Sequence, residues 1–136
     1  TYIYDAGYDA AGQHTVKIMV SDGDKDTSRI WAVKVENINR KPILEKMATV
    51  MAKETEKIVL EPKATDPDGD KLTFRIDNDK FKQVDDRFEW ETTYDNAGEY
   101  SATITASDGE GEVSETVKIT IDNVNRPPII EDIILE

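Results

Sequence analysis

The sequence has no cysteine and a single histidine, His14, in 136 residues. It therefore has no disulfide, no thiolate metal site and no cysteine nucleophile, and little scope for histidine catalysis. No apolar run approaches the roughly 20 residues of a membrane-spanning helix. Basic residues are scarce too, since 17 Lys and Arg against 29 Asp and Glu leave a net charge of −12. That charge disfavours anionic partners, so we predict neither nucleic-acid binding nor direct membrane insertion.

What the sequence does contain is an internal repeat. Residues 8–47 align without a gap to residues 94–133, at an offset of 86 residues and with 15 of 40 positions identical. Such self-similarity is the signature of a repeat architecture. We therefore expect three parts along the chain. Residues 1–40 are predicted to be the C-terminal half (strands E–G) of one repeat, residues 41–126 a complete repeat, and residues 127–136 the first strand of a following repeat.

The repeat is predicted to consist of short β-strands. Apolar and polar side chains alternate over residues 100–106 and again over 117–121, a period that is typical of half-buried strands. Residues 43–51 fit either a strand or a short helix, and Pro42 before them favours the strand. Seven short strands predict an all-β fold, an antiparallel seven-strand Greek-key sandwich. The other candidate strands are 57–65, 71–77, 80–84 and 87–91.

Several conspicuous side chains have packing explanations. Tyr100, at the start of a strand, fits a tyrosine corner whose hydroxyl bonds to nearby backbone, and His14 stands at the equivalent position of the first part. The Lys/Glu alternation of residues 53–57 is typical of a solvated surface. The aromatic residues that we expect in the core are Tyr2, Tyr4, Tyr8, Trp31 and Trp90.

Four segments together resemble a known family. Residues 66–74 read Asp-Pro-Asp-Gly-Asp-Lys-Leu-Thr-Phe, residues 94–100 read Tyr-Asp-Asn-Ala-Gly-Glu-Tyr, residues 107–109 read Ser-Asp-Gly, and residues 123–128 read Asn-Val-Asn-Arg-Pro-Pro. In this order they resemble the cadherin-like and Ig-like tandem surface repeats of bacteria and archaea. The resemblance implies an extracellular or cell-surface (secreted) protein in which neighbouring repeats of the same chain are the main partners.

Calcium is the cofactor that the acidic loops invite, because it prefers carboxylate and carbonyl oxygens. In a seven-strand sandwich the B–C and F–G loops share one end, and cadherins hold calcium there with linker residues. Arg40 and Arg126, however, stand where cadherins carry Asp, and a guanidinium weakens such a site. The alternative is that these aspartates only cap turns. The candidate ligands are Asp66, Asp68, Asp70, Asp108, Asn37, Asn39 and Asp9.

These observations favour a non-enzymatic role as a spacer, stalk or adhesion repeat. Paired acids such as Asp85 and Asp86 occur without an implied cleft, so we do not predict catalysis. The first alternative is a carbohydrate- or protein-binding accessory module. The second is a strand-exchanging assembly subunit, because the unpaired strands of residues 1–40 offer edges for self-association.

Overall fold

The structure is a computed structural model, and it describes residues 1–130 of the chain. It divides into two compact units, Thr1–Asn39 and the part that begins at Arg40. Strands dominate both, and the one helical element among the described residues is the short 3₁₀ turn Tyr8–Ala10. The predicted all-β class is confirmed. No helix in residues 1–130 combines the length and the apolar character that crossing a membrane requires.

The first unit is a single β-hairpin. Strands β1 (Gly12–Ser21) and β2 (Asp26–Val35) pair antiparallel, with Val16 opposite Trp31. Residues 1–7 form no strand, so the expected strand E is not formed, and Tyr2 is 94% exposed rather than in a core. His14 does take the corner role, since its Nε2 lies 2.7 Å from the Ala10 carbonyl oxygen.

In its described part, residues 40–130, the second unit contains nine strand segments in three sheets. One sheet has the order β4–β11–β10–β7, a second β5–β9–β8, and a third pairs β3 with β6. The segments are β3 (Ile43–Leu44), β4 (Val50–Lys53), β5 (Lys57–Leu60), β6 (Ala64–Thr65), β7 (Thr73–Ile76), β8 (Lys82–Val84), β9 (Arg87–Glu91), β10 (Gly98–Ser107) and β11 (Glu112–Asp122).

Two predicted strands are broken, and no part of residues 43–51 forms a helix. Residues 45–49 separate β3 from β4, which lets the chain leave β6 and join β11 in another sheet. Pro62, which has no N–H to donate, lies in the gap between β5 and β6. The strand pairs of the sandwich are antiparallel among the described residues except at one place, where β4 runs parallel to β11.

The core lies between the four-stranded and three-stranded sheets. Leu60 and Phe88 from one sheet and Ile104 and Val117 from the other are at most 1% exposed. Trp90, as predicted, joins this core, and its ring meets the Tyr100 ring edge-on at a centroid distance of 5.0 Å. Tyr100 is therefore a packing residue; in the described structure its hydroxyl makes no corner hydrogen bond of the predicted kind.

The hairpins of the two units share one register but differ in burial. Every β1–β2 pair maps onto a β10–β11 pair at the offset of 86 residues; Val16–Trp31, for example, corresponds to Ala102–Val117. Trp31 is 44% exposed, whereas Val117 at the same position is 0% exposed. The prediction that Trp31 lies in a core is therefore wrong for this structure. The difference arises because side chains of β5 and β9 cover the second hairpin.

Candidate functional site

Three of the predicted ligands meet in the loop between β6 and β7. Asp66, Asp68 and Asp70 each offer a carboxylate oxygen, and these oxygens lie within 4.8 Å of one another. The loop owes its shape to Asp66, whose Oδ1 accepts hydrogen bonds from the amides of Asp68 (2.8 Å) and Asp70 (3.1 Å). Gly69 has φ of +80°, a conformation that favours glycine. The turn chemistry considered as the alternative is thus present.

Arg40 binds the centre of this loop. Its Nε and Nη2 donate to Asp68 Oδ1 at 2.9 and 2.7 Å, and its backbone amide donates to Asp68 Oδ2 at 2.7 Å. Nη2 also donates to the Pro67 carbonyl at 2.8 Å. The Asp68 side chain is only 9% exposed. The guanidinium hydrogen bond, with the amide and the Arg40 charge adding to it, lowers the pKa of the Asp68 carboxyl below its usual value.

Asp108 lies near enough to affect the same carboxylate. Its charge raises the pKa of Asp68, a smaller effect than the lowering by Arg40. Its own Oδ1 caps the β10–β11 turn by accepting from the amides of Glu110 (2.7 Å) and Gly111 (2.5 Å). Asp9, Asn37 and Asn39 belong to the first unit, and their share in a common site stays a prediction.

The three clustered carboxylates could hold a metal ion. Carboxylate oxygens in a turn are the ligands that hard cations such as Ca²⁺ prefer. Asp66 Oδ2 is buried and has no hydrogen-bond partner among the described residues, so it retains full acceptor capacity. Asp68, by contrast, already has both oxygens engaged by Arg40. The loop therefore has a free carboxylate oxygen, on Asp66, that could bind a cation, while its Asp68 is already bound by the Arg40 guanidinium.

At the other end of the second unit, Glu54 holds three segments together. It follows β4 and is 2% exposed. Its Oε1 accepts from the Ala97 amide at 2.9 Å and its Oε2 from the Val124 amide at 2.8 Å. The prediction that residues 53–57 are a solvated surface is therefore wrong for Glu54. The Lys/Glu alternation gave no sign of this role. A glutamate that accepts from distant backbone amides has the same local sequence as a glutamate on the surface.

Arg126 is paired at this same end. Its Nη2 donates to Asp95 Oδ1 at 3.0 Å, and its guanidinium carbon lies 5.3 Å from the centre of the Tyr94 ring. The ring face adds a cation–π attraction to the ion pair. Both arginines that follow an Asn in the repeated segment, Arg40 and Arg126, are thus bound to an aspartate of the second unit.

The chain matches the bacterial Ig domain family over residues 39–121. Among solved structures it is similar to Drosophila OTK extracellular domains 3–5 (14% identity, TM-score 0.57, 87% of this chain and 42% of that chain). It is also similar to the titin domains z1z2 in complex with telethonin (12%, 0.52, 87% and 64%). These likenesses show an Ig-like fold.

An endo-fucoidan hydrolase of glycoside hydrolase family 107 also matches, with 19% identity and a TM-score of 0.48. The match covers 85% of this chain but 19% of that one, so this chain spans only a small part of the hydrolase. No curated protein matches the sequence. The family match covers more than half of the chain, and the chain therefore belongs to the bacterial Ig domain family.

Proposed function

We propose that the chain is a non-catalytic structural repeat that serves as a spacer, stalk or adhesion module in a larger surface or secreted protein. Bacterial Ig domains are typically non-catalytic and are usually extracellular or surface-exposed. The cadherin-like motifs and the repeat at an offset of 86 residues support a place in a tandem array. A spacer does not need a cleft. Its two attachment points must carry tension and hold the neighbouring repeats in a defined orientation.

The observation that carries this proposal is the way in which the second unit holds its two chain ends. Because β4 runs parallel to β11, the chain enters at one end of the strands and leaves at the other. Arg40 fixes the entering segment to Asp68, and Glu54 fixes the leaving segment through Val124. A force along the strands would load the β4–β11 hydrogen bonds together in shear, which supports a mechanical role.

Pulling experiments test the spacer role, and the absence of native cysteine makes thiol attachment specific. In one variant, Lys41→Cys and Asn125→Cys place the handles just before β3 and just after β11. In the matched variant, Gln83→Cys and Lys118→Cys place them on opposite sheets. We expect a higher unfolding force for the first pair. An equal or higher force for the second pair would contradict the proposal, whereas saturable binding of a polysaccharide or protein would favour the accessory-module alternative.

Calcium at Asp66, Asp68 and Asp70 is the finer part of the proposal. The clustering of the three carboxylates and the unpartnered Asp66 Oδ2 support it. The guanidinium on Asp68 lowers the affinity, so we expect a weak site, in the range of about 10⁻⁴–10⁻³ M that extracellular modules use.

A calcium titration of the melting temperature tests the site. We expect a rise that saturates in the native chain and is reduced by Asp70→Asn, because this exposed ligand is lost without disturbing Arg40. Asp24→Asn is the control, since Asp24 is an exposed aspartate in the turn between β1 and β2, outside the carboxylate cluster. An unchanged melting temperature in the native chain would remove calcium from the proposed function.

The apolar face of the first hairpin favours a second candidate function, self-association. Val16, Trp31 and Val33 share one face and are 46%, 44% and 39% exposed. In the second unit the equivalent face is the core, covered by side chains of β5 and β9. We expect that a complementary apolar sheet, from another copy or a neighbouring repeat, covers this face.

Sedimentation over a concentration series tests self-association. Ile18→Lys places a charge at the centre of the face and is expected to abolish any association, while Lys17→Glu on the opposite face is the control. The emission of Trp31, isolated by comparison with Trp31→Phe, should shift to the blue as copies associate. A monomer with red Trp31 emission at every concentration would contradict this second candidate.

A further inference from the structure

The two linker arginines stand at equivalent sequence positions but bind different acids. Arg40 and Arg126 are separated by the repeat offset of 86 residues, each after Asn-x-Asn. Arg40 binds the loop at the entering end of the second unit, through Asp68. Arg126 binds the β9–β10 corner at the leaving end, through Asp95. The second unit therefore contains both copies of the repeated arginine, and each copy makes a different contact.

The Arg126 contact leaves much of the guanidinium unused. Only Nη2 donates to a carboxylate, and the Arg126 side chain is 56% exposed. Among the described residues 1–130, no acceptor forms a hydrogen bond with Nε or Nη1 of Arg126. The Tyr94 ring, 5.3 Å from the guanidinium carbon, restricts its position. A partly held guanidinium with free donors is suited to a second planar acceptor, since a carboxylate matches the geometry of the fork.

The Arg40 contact shows which acceptor fits. The Asp-Pro-Asp-Gly loop takes the guanidinium through Asp68 Oδ1 and the Pro67 carbonyl, and it takes the arginine backbone amide through Asp68 Oδ2. Four hydrogen bonds thus match one linker arginine to one such loop. Asp68 of this loop lies 28 residues after Arg40 in the sequence.

We infer that Arg126 is a docking point for the Asp-Pro-Asp-Gly loop of a following Ig-like repeat, so that one guanidinium joins the β9–β10 corner of a repeat to the β6–β7 loop of the next. The inference rests on the proposed place in a tandem array. Two aspartates around a single arginine form an arginine junction without a metal ion, in which charge and the directional guanidinium donors fix the angle between repeats. The pair that holds Arg126, Tyr94 and Asp95, recurs in the sequence as Tyr8 and Asp9.

A protein with two complete repeats in tandem tests the arginine junction. The chain is extended directly after Arg126 by a second copy of its own residues 41–126, which keeps the 86-residue spacing. The rotational correlation times of the two complete repeats are then measured by ¹⁵N relaxation in the presence of a chelator. We expect one shared, slow tumbling time. Arg126→Gln should release the repeats, and each correlation time should fall toward that of a single repeat. Arg126→Lys should recover only part of the coupling, because an ammonium cannot bind both carboxylates with a planar fork.

Matched variants separate the arginine junction from general charge effects. Lys118→Gln removes the same charge from the exposed face of β11 and should leave the tumbling unchanged. In the appended copy, the residue that corresponds to Asp68 is replaced by Asn. This change should release the two repeats as Arg126→Gln does. If the Arg126→Gln tandem protein stays rigid, or if Lys118→Gln loosens it equally, the arginine junction is wrong while the spacer role stands. If the unaltered tandem protein already tumbles as two bodies, both the arginine junction and the stiff spacer are wrong.

Discussion

Glu54 and Val124 are 70 residues apart in sequence, yet the Val124 amide donates a 2.8 Å hydrogen bond to Glu54 Oε2. The other oxygen of the same buried carboxylate accepts from Ala97. One side chain thus joins the turn after β4, the β9–β10 corner and the segment that leaves β11. This arrangement ties the exit of the chain to the body of the second unit.

Glu54→Ala is expected to destabilise the second unit by about 2–4 kcal/mol, because two partly buried amides lose their charged acceptor. Glu54→Gln should cost less, since an amide oxygen can still accept one of the two bonds. Urea unfolding measures both. Glu99→Ala, an exposed carboxylate on β10, is the control and should stay within about 0.5 kcal/mol of the native chain. Equal losses for Glu54 and Glu99 would contradict the role assigned to Glu54.

Ile104 and Ile18 occupy equivalent positions of the two hairpins but differ in exposure, at 0% and 36%. Ile104→Ala leaves a cavity in a closed core and should cost about 2–5 kcal/mol. Ile18→Ala removes a side chain that water already reaches, so it should cost less than about 1 kcal/mol in dilute solution. Chemical denaturation followed by circular dichroism compares them. A large cost for Ile18→Ala in a monomeric sample would show that its face is covered.

Removal of the Arg40 side chain should destabilise the chain in a pH-dependent way. The Arg40 hydrogen bond lowers the pKa of Asp68 in the folded state. A carboxyl with a lowered folded pKa contributes stability that is fully present above its unfolded pKa of about 3.9 and is lost as the pH falls through the folded pKa. The stability difference between the native chain and Arg40→Gln should therefore be constant near neutrality and shrink in acid below about pH 4.

Unfolding free energies measured at neutral and acidic pH check this expectation. Arg75→Gln is the matched comparison, because Arg75 pairs with Glu112 at 2.6 Å but both side chains are about half exposed or more. Solvent screens that pair, so its removal should matter less than that of Arg40. A penalty for Arg40→Gln that does not change in acid would mean that Asp68 ionisation is not its source.

The sequence was most informative where spacing in the chain decides the structure. Alternation over 100–106 and 117–121 predicted the paired core strands β10 and β11, because the period of two fixes which side chains face inward. The acidic Asp66–Asp70 turn was also predictable, since Asp, Pro and Gly favour turns through their own backbone preferences. These signals act over a few residues and need no knowledge of distant partners.

What the sequence did not predict depends on distant partners. Glu54 reads as a surface residue until Ala97 and Val124 supply amides from elsewhere in the chain. Arg40 reads as an obstacle to a cation, whereas in the structure its guanidinium is the cation that binds Asp68. The parallel pairing of β4 with β11 follows from the break at residues 45–49, which local propensity does not reveal.

Proline in β4 should lower the force needed to unfold the second unit along its strands. Successive N–H groups of a strand point to opposite sides, so one of Met51→Pro and Ala52→Pro must remove a hydrogen bond to β11. With handles at Lys41→Cys and Asn125→Cys, that variant should unfold at lower force because fewer bonds share the shear load. Gln83→Pro disturbs β8 at the edge of the other sheet and should change this force little. If Gln83→Pro weakens the unit under tension as much as the β4 variants do, the β4–β11 pair is not the mechanical connection.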